Sequence, residues 1–168
     1  MEKAGKLNRY IFTVIVLYVA WLLLTATTRI DELVVGLIVS LLVAIGSFDY
    51  LTEHGLRNLS PKRLFYLLIY IPYYLWQVIL ANFDMAYRVL APSMPIKPGI
   101  VTVCTNLKTD VGKLSLANSI TLTPGTLTMD VKDDTLLVHW IYVKDETTEG
   151  ATREICGRFE KFLKEIFG

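Results

Sequence analysis

The chain has 168 residues, 53% of them hydrophobic and 20% charged, with 17 Lys/Arg against 16 Asp/Glu. A net charge of +1 provides no basic face large enough to neutralise a run of phosphates, which argues against nucleic acid as a partner. The charges are also unevenly spread: residues 1–83 hold seven Lys/Arg and five Asp/Glu, and the remainder hold ten and eleven, so a hydrophobic half precedes a polar one.

Residues 11–28 carry no charge. As a helix rising about 1.5 Å per residue, that run covers roughly 27 Å, close to a hydrocarbon core of about 30 Å. Lys3, Lys6 and Arg9 before it are in the style of a signal peptide, but the run exceeds an ordinary signal core and a second one follows at once, so retention in the membrane is expected. The second run, residues 33–48, begins just after Arg29, Asp31 and Glu32, which makes the pair a tight helical hairpin with a somewhat short second member. Gly36, Ser40, Ala44 and Ser47 lie along one side of it, either as the hairpin seam or as a face for a partner helix.

The third run, residues 64–83, opens after Ser60, a candidate N-cap, with Pro61 at the first helical position. Pro72 removes one backbone hydrogen bond and predicts a kink. Tyr66, Tyr70, Tyr73, Tyr74 and Trp76 make this segment strongly aromatic; interfacial anchoring and packing explain them more simply than a quinone or cofactor pocket. Within the three runs there is no Asp, Glu, Lys, Arg or His, whereas proton and ion relays through a membrane are built from such groups. Gln77 and Asn82 do not titrate near neutral pH, so the segment reads as support for a transport path carried elsewhere. Gly36, Ser40, Ala44, Pro72 and Gln77 are the helix-packing candidates, and residues 1–90 form the expected membrane region of two to three transmembrane helices. Six Lys/Arg (Lys3, Lys6, Arg9, Arg57, Lys62, Arg63) against three (Arg29, Arg88, Lys97) favour an N-terminus inside, and three full spans then place the C-terminal half outside.

Residues 91–99 contain three of the six prolines and read as a linker. Beyond it, residues 100–107 alternate as a strand, and residues 110–122 read as a helix with Val111, Leu114, Ala117 and Ile120 on one side, stopped by Pro124 and Gly125. Residues 126–131 and 135–143 form a hairpin around Lys132, Asp133 and Asp134. A final helix repeats Ile155, Phe159, Phe162, Leu163 and Ile166. The order β-α-β-β-α over residues 100–168 predicts a small soluble α+β domain, a truncated ferredoxin-like variant.

That domain carries no Gly-rich phosphate loop, no GxSxG and no His beside a nucleophile, so a non-catalytic chain without cofactor is expected. Cys104 and Cys156 form no CxxC pair and read as two buried free thiols; His54, in a loop, and His139, in a strand, lack further ligands at metal-binding spacing. The conspicuous segment is residues 118–131, where hydroxyls surround a Pro-Gly turn. Such hydroxyls satisfy backbone groups at helix and turn ends, or they present a docking loop to a partner.

The run Asn118, Ser119, Ile120, Thr121, Leu122, Thr123, Pro124, Gly125 and Thr126, followed by His139 and Trp140 and placed after the hydrophobic block, resembles the E subunit of Mrp-type multisubunit Na+/H+ antiporters. Related subunits occur in archaeal membrane-bound hydrogenase-type complexes. The resemblance implies an accessory membrane subunit whose partners are the other subunits of such a complex, which carry the ions, together with the lipid bilayer. It makes Asn118, Ser119, Thr121, Thr123, Pro124, Gly125 and Thr126 the candidate subunit contacts. It also implies a cytoplasmic C-terminal domain, which opposes the three-span charge count and is the placement adopted. A stand-alone membrane-anchored module that binds a ligand or protein is the alternative function.

Overall fold

The computed structural model describes residues 5–52, 55–56 and 60–167; Lys3, His54 and Arg57 lie outside them. The chain divides into two compact units, Met1–Ser60 and Pro61–Gly168. Three helices are long and apolar enough to cross a membrane, α1 (Lys6–Thr25) and α2 (Ile30–Leu51) in the first unit and α3 (Pro61–Leu90) in the second.

The first unit is a helical hairpin. Ala26 takes a left-handed conformation, φ 48°, and its N–H closes α1 on the Leu22 carbonyl. α2 extends past the uncharged run at both ends and, with 22 residues, is long enough for a span. Asp31 and Glu32 occupy its first turn, where the helix dipole favours anions. Its far end is held by Arg9, whose Nε donates to the Thr52 carbonyl at 2.8 Å and whose Nη2 donates to the Asp49 carbonyl at 2.9 Å. The same guanidinium pairs with the Asp49 carboxylate at 2.9 Å. Arg9 thus satisfies carbonyls that a helix C-terminus leaves without partners.

Gly36, Ser40 and Ala44 are the buried residues of α2. A Cβ on Gly36 would run into the Trp21 indole, whose Nε1 donates to the Glu32 carbonyl at 3.2 Å. We expect Gly36→Leu to lower the unfolding temperature in mild detergent, by the equivalent of about 1–3 kcal/mol of overpacking. Gly46→Leu, on the same helix but facing open space, is the control and leaves it unchanged.

In the second unit, β1 (Gly99–Cys104), β2 (Thr126–Lys132) and β3 (Thr135–Trp140) form an antiparallel sheet in the order β1-β3-β2. β1 and β2 are therefore parallel to each other with β3 between them, the split arrangement of ferredoxin-like folds without a fourth strand. Strand alternation turns Val101, Val103, Leu136, Val138 and Trp140 into the core. α4 (Asp110–Thr121), α5 (Thr148–Ile155) and α6 (Gly157–Phe167) complete the domain, with α4 and α5 opened by the Thr109 and Thr147 hydroxyls as N-caps.

Three expectations change. The final helix is two, because the chain interrupts at Cys156 between α5 and α6. Leu114 is 61% exposed and Leu116 takes the inward position, since a 3.6-residue period starting from Gly112 passes through Leu116 and Ile120. Cys104 is exposed, because the strand parity that buries Val101 and Val103 turns it outward, while burial pushes the Cys156 thiol up to about 12. The Pro-rich segment expected as a linker is bonded to the strand exit: Lys97 N–H donates to the Ile141 carbonyl at 3.0 Å, and Val143 N–H to the Lys97 carbonyl at 2.9 Å.

The β2–β3 turn is tied to α4 by Asp134, whose carboxylate meets Lys113 Nζ at 2.9 Å and Lys108 Nζ at 3.6 Å. The Lys113 hydrogen bond, with the charge of Lys108, holds its pKa below the ordinary carboxylate value. A depressed folded-state pKa contributes stability above the unfolded value and loses it as pH falls. Asp134→Asn should therefore lower the melting temperature at pH 7, and the difference from wild type should begin to shrink as pH falls through about 4 and vanish only below the depressed folded-state pKa of Asp134.

Candidate functional site

α3 presents two unlike faces, and the one turned to the domain builds the site. Tyr66, Tyr70, Tyr73, Tyr74, Gln77, Ala81, Met85 and Arg88 recur at steps of three and four, which places them on one stripe. Tyr73 stacks on Phe162 with ring centroids 4.7 Å apart, and Tyr74 meets Phe159 edge-on at 5.9 Å. Lys62 pairs with Glu165 at 2.7 Å at the start of the helix. At its end Arg88 is buried, with Nε on Asp84 at 2.8 Å, Nη1 on the Pro95 carbonyl at 2.7 Å, and the guanidinium 4.1 Å from the centre of the Tyr142 ring.

The hydroxyl-rich segment meets this stripe. Along α4 and its exit, Ser115, Ser119 and Thr123 each donate to the carbonyl four residues earlier, all at 2.7 Å. The single Ser119 proton is thereby engaged, so in the 2.6 Å contact between Tyr70 and Ser119 the tyrosine is the donor. Thr126 Oγ1 donates to the Ile120 carbonyl at 2.7 Å, and Thr121 Oγ1 accepts from Thr128 N–H at 3.1 Å. Gly125 sits at φ +94°, where a side chain would be strained and would press on Ile141 and Met85.

A cleft of about 270 Å³ opens between Gln77, Ala81, Asp84 and Arg88 of α3, the turn Thr123, Pro124, Gly125 and Thr126, and Trp140, Tyr142, Arg158 and Phe159. Its charges are matched locally: Arg88 with Asp84, and Glu154 with Lys144 at 3.4 Å and with Arg158 at 3.8 Å. Among the described residues no group of three or more His, Cys, Asp or Glu could hold a metal ion. The cleft has the composition of a contact surface, part aromatic and part ion-paired.

The structure brings Thr123, Pro124, Gly125, Thr126 and Gln77 together at the cleft, and sets Ser119 against Tyr70 outside its lining. Asn118 and Thr121 are exposed and lie outside the cleft lining, as does Pro72, on the open side of an α3 that continues through it; Gly36, Ser40 and Ala44 belong to the other unit. Sequence reading misses Asp84, Arg88 and Tyr142. Their signal is present: the stripe through the tyrosines, continued at helical spacing, passes through Ala81 and ends on Arg88, four residues after Asp84.

Three apolar helices with a small α+β domain define a multi-pass membrane protein. The sequence model of the MnhE family, described as Na+/H+ ion antiporter subunit, matches residues 14–166, and the chain belongs to that family. It is 39% identical over 105 residues to the E subunit of the Na+/H+ antiporter of Alkalihalophilus pseudofirmus, covering 62% of this chain and 66% of that one. It is 30% identical over 156 residues to the E1 subunit of the Na+/H+ antiporter of Staphylococcus aureus, covering 90% and 92%. Among solved structures, a chain of the membrane-bound sulfane sulfur reductase, an archaeal respiratory membrane complex, is 52% identical with a TM-score of 0.84, covering 95% of this chain and 99% of that one.

The Tyr70–Ser119 bond predicts an asymmetry. Tyr70→Phe removes one donor and leaves Ser119 bonded to its own helix, costing about 1 kcal/mol, whereas Ser119→Ala strands a buried phenol and costs about 1–3 kcal/mol. Denaturant melts of the two single variants and the double variant measure both values and their coupling.

Proposed function

We propose that the chain is a non-catalytic accessory subunit of a multisubunit cation/proton antiporter module, supporting the assembly of subunits that carry the ions, with its α+β domain on the cytoplasmic side. The observation that carries this reading is the pairing of family membership with uncharged runs at residues 11–28, 33–48 and 64–83, which offer no titratable relay of their own. The 52% identity to a chain of a respiratory complex favours a host in which the antiporter module is joined to a redox module. Of the candidate contact residues, the exposed Asn118 and Thr121 and the Pro124–Gly125–Thr126 corner at the cleft are proposed to meet a partner subunit, while the buried Ser119 and Thr123 hold that segment in place through bonds inside the domain.

Deleting the chain should reduce the amount of assembled complex, measured by native electrophoresis and quantitative mass spectrometry, and purification through a tag should recover subunits bearing metal clusters. Asn82 already donates to the Val78 carbonyl of its own helix at 2.8 Å. Replacing Gln77 or Asn82 by alanine should therefore leave ion exchange per assembled complex unchanged. Normal assembly with lost exchange in either variant would assign the chain a direct transport role, and a stable monomer purified with a ligand would favour the stand-alone binding module.

A further inference from the structure

Apart from Leu80 at the cleft, α3 carries 13 large apolar side chains at 38–80% exposure outside the domain-facing stripe, among them Leu68, Ile71, Leu75, Ile79 and Phe83. Its length and composition alone would make it a third span. Its contacts with the domain exclude that. They run from the Lys62–Glu165 ion pair to Arg88 against Tyr142, a stretch of helix about 39 Å long, more than the roughly 30 Å of hydrocarbon. At whatever level a bilayer were placed across α3, part of the docked domain would lie inside it. The domain's exposed ions, including Lys108, Asp134, Lys144 and Glu154, would be carried towards lipid, where a charged side chain loses its hydration. The open edges of a three-stranded sheet would go with them, and backbone groups without partners are not tolerated there.

We infer that α3 does not cross the membrane but lies along its surface, with its open apolar face in the headgroup–acyl boundary and the α+β domain held above it in water. Lipid is the occupant because only nine residues separate the end of α2 from the start of α3, which brings the chain to α3 directly from a membrane-crossing helix. Trp76 and Tyr87 on the open face are side chains that settle at that boundary. The charge pattern agrees. With two spans, Lys3, Lys6, Arg9, Arg57, Lys62 and Arg63 share one side and Arg29 alone marks the other, so the positive-inside rule puts the N-terminus and the domain together in the cytoplasm. The opposition between charge count and cytoplasmic domain disappears once α3 is removed from the count of spans.

The inference does not depend on the accessory-subunit reading, and two measurements on the full chain in its native membranes test it. Cys104 is exposed on the sheet and Cys156 is buried, so an impermeant maleimide reports the side of the domain through Cys104 alone. In Cys104→Ser chains, a cysteine at Thr28 reports the hairpin turn and one at Gly5 the N-terminus. We expect Cys104 and Gly5→Cys to react from the same side and Thr28→Cys from the other. Reaction of Cys104 from the Thr28 side would restore a third span and overturn the proposal. A photo-crosslinking amino acid placed at Leu75 then identifies what covers the open face: a lipid adduct is expected, and an adduct to another protein chain would overturn the choice of lipid.

Discussion

The second unit depends on one helix satisfying two neighbours of opposite character. α3 has to bury a stripe of tyrosines against a water-soluble domain while leaving the rest of its circumference apolar. Tyrosine suits the seam because its ring supplies apolar area and its hydroxyl reaches a polar partner. Tyr70 shows both, packed at 5.9 Å from Phe162 and bonded at 2.6 Å to Ser119. A stripe of leucines would bury comparable area but would leave the Ser119 oxygen without its donor and would not distinguish the domain-facing side from the open one.

The same requirement accounts for the hydroxyl-rich segment. Where α4 ends and turns into β2, carbonyls of the last helical turn have no helical donors. Thr123 and Thr126 supply them from within, and the positive φ of Gly125 turns the chain tightly enough for Thr126 to reach back to Ile120. Hydrogen bonding that looks solvent-directed in the sequence is turned inward. What the turn shows to the outside is the Pro-Gly corner beside Arg88 and Tyr142, a smaller and more specific surface than the string of hydroxyls implies.

Local chemistry is legible in the sequence. Ser60-Pro61 marks the start of α3, the Lys132-Asp133-Asp134 turn marks the hairpin, and alternation marks β1 and β3, since each signal needs only neighbours along the chain. The misses come from tertiary partners. Cys104 reads as buried because thiols usually are, and only the phase of Val101 and Val103 against the helices decides otherwise. α2 reads as short when its charged ends are excluded, yet Asp49 belongs to the helix through Arg9, a residue 40 positions away. Arg88 counts as a topological charge in the sequence, while its partners Pro95 and Tyr142 become neighbours only when the linker folds back along the strand exit.

Hydropathy fails for α3 for a physical reason. A window of apolar residues measures how much surface prefers to leave water and not the direction in which it leaves. α1 and α2 discharge that preference into each other and lipid around a small-residue seam, so length decides that they cross. α3 has comparable apolar content, but its tyrosine stripe commits one side to a domain whose ion pairs and sheet edges require water. A helix bound along its whole contact length to a hydrated body can satisfy its remaining apolar surface only at a boundary. The deciding quantity is therefore the angular distribution of aromatic hydroxyls around α3, read at steps of three and four.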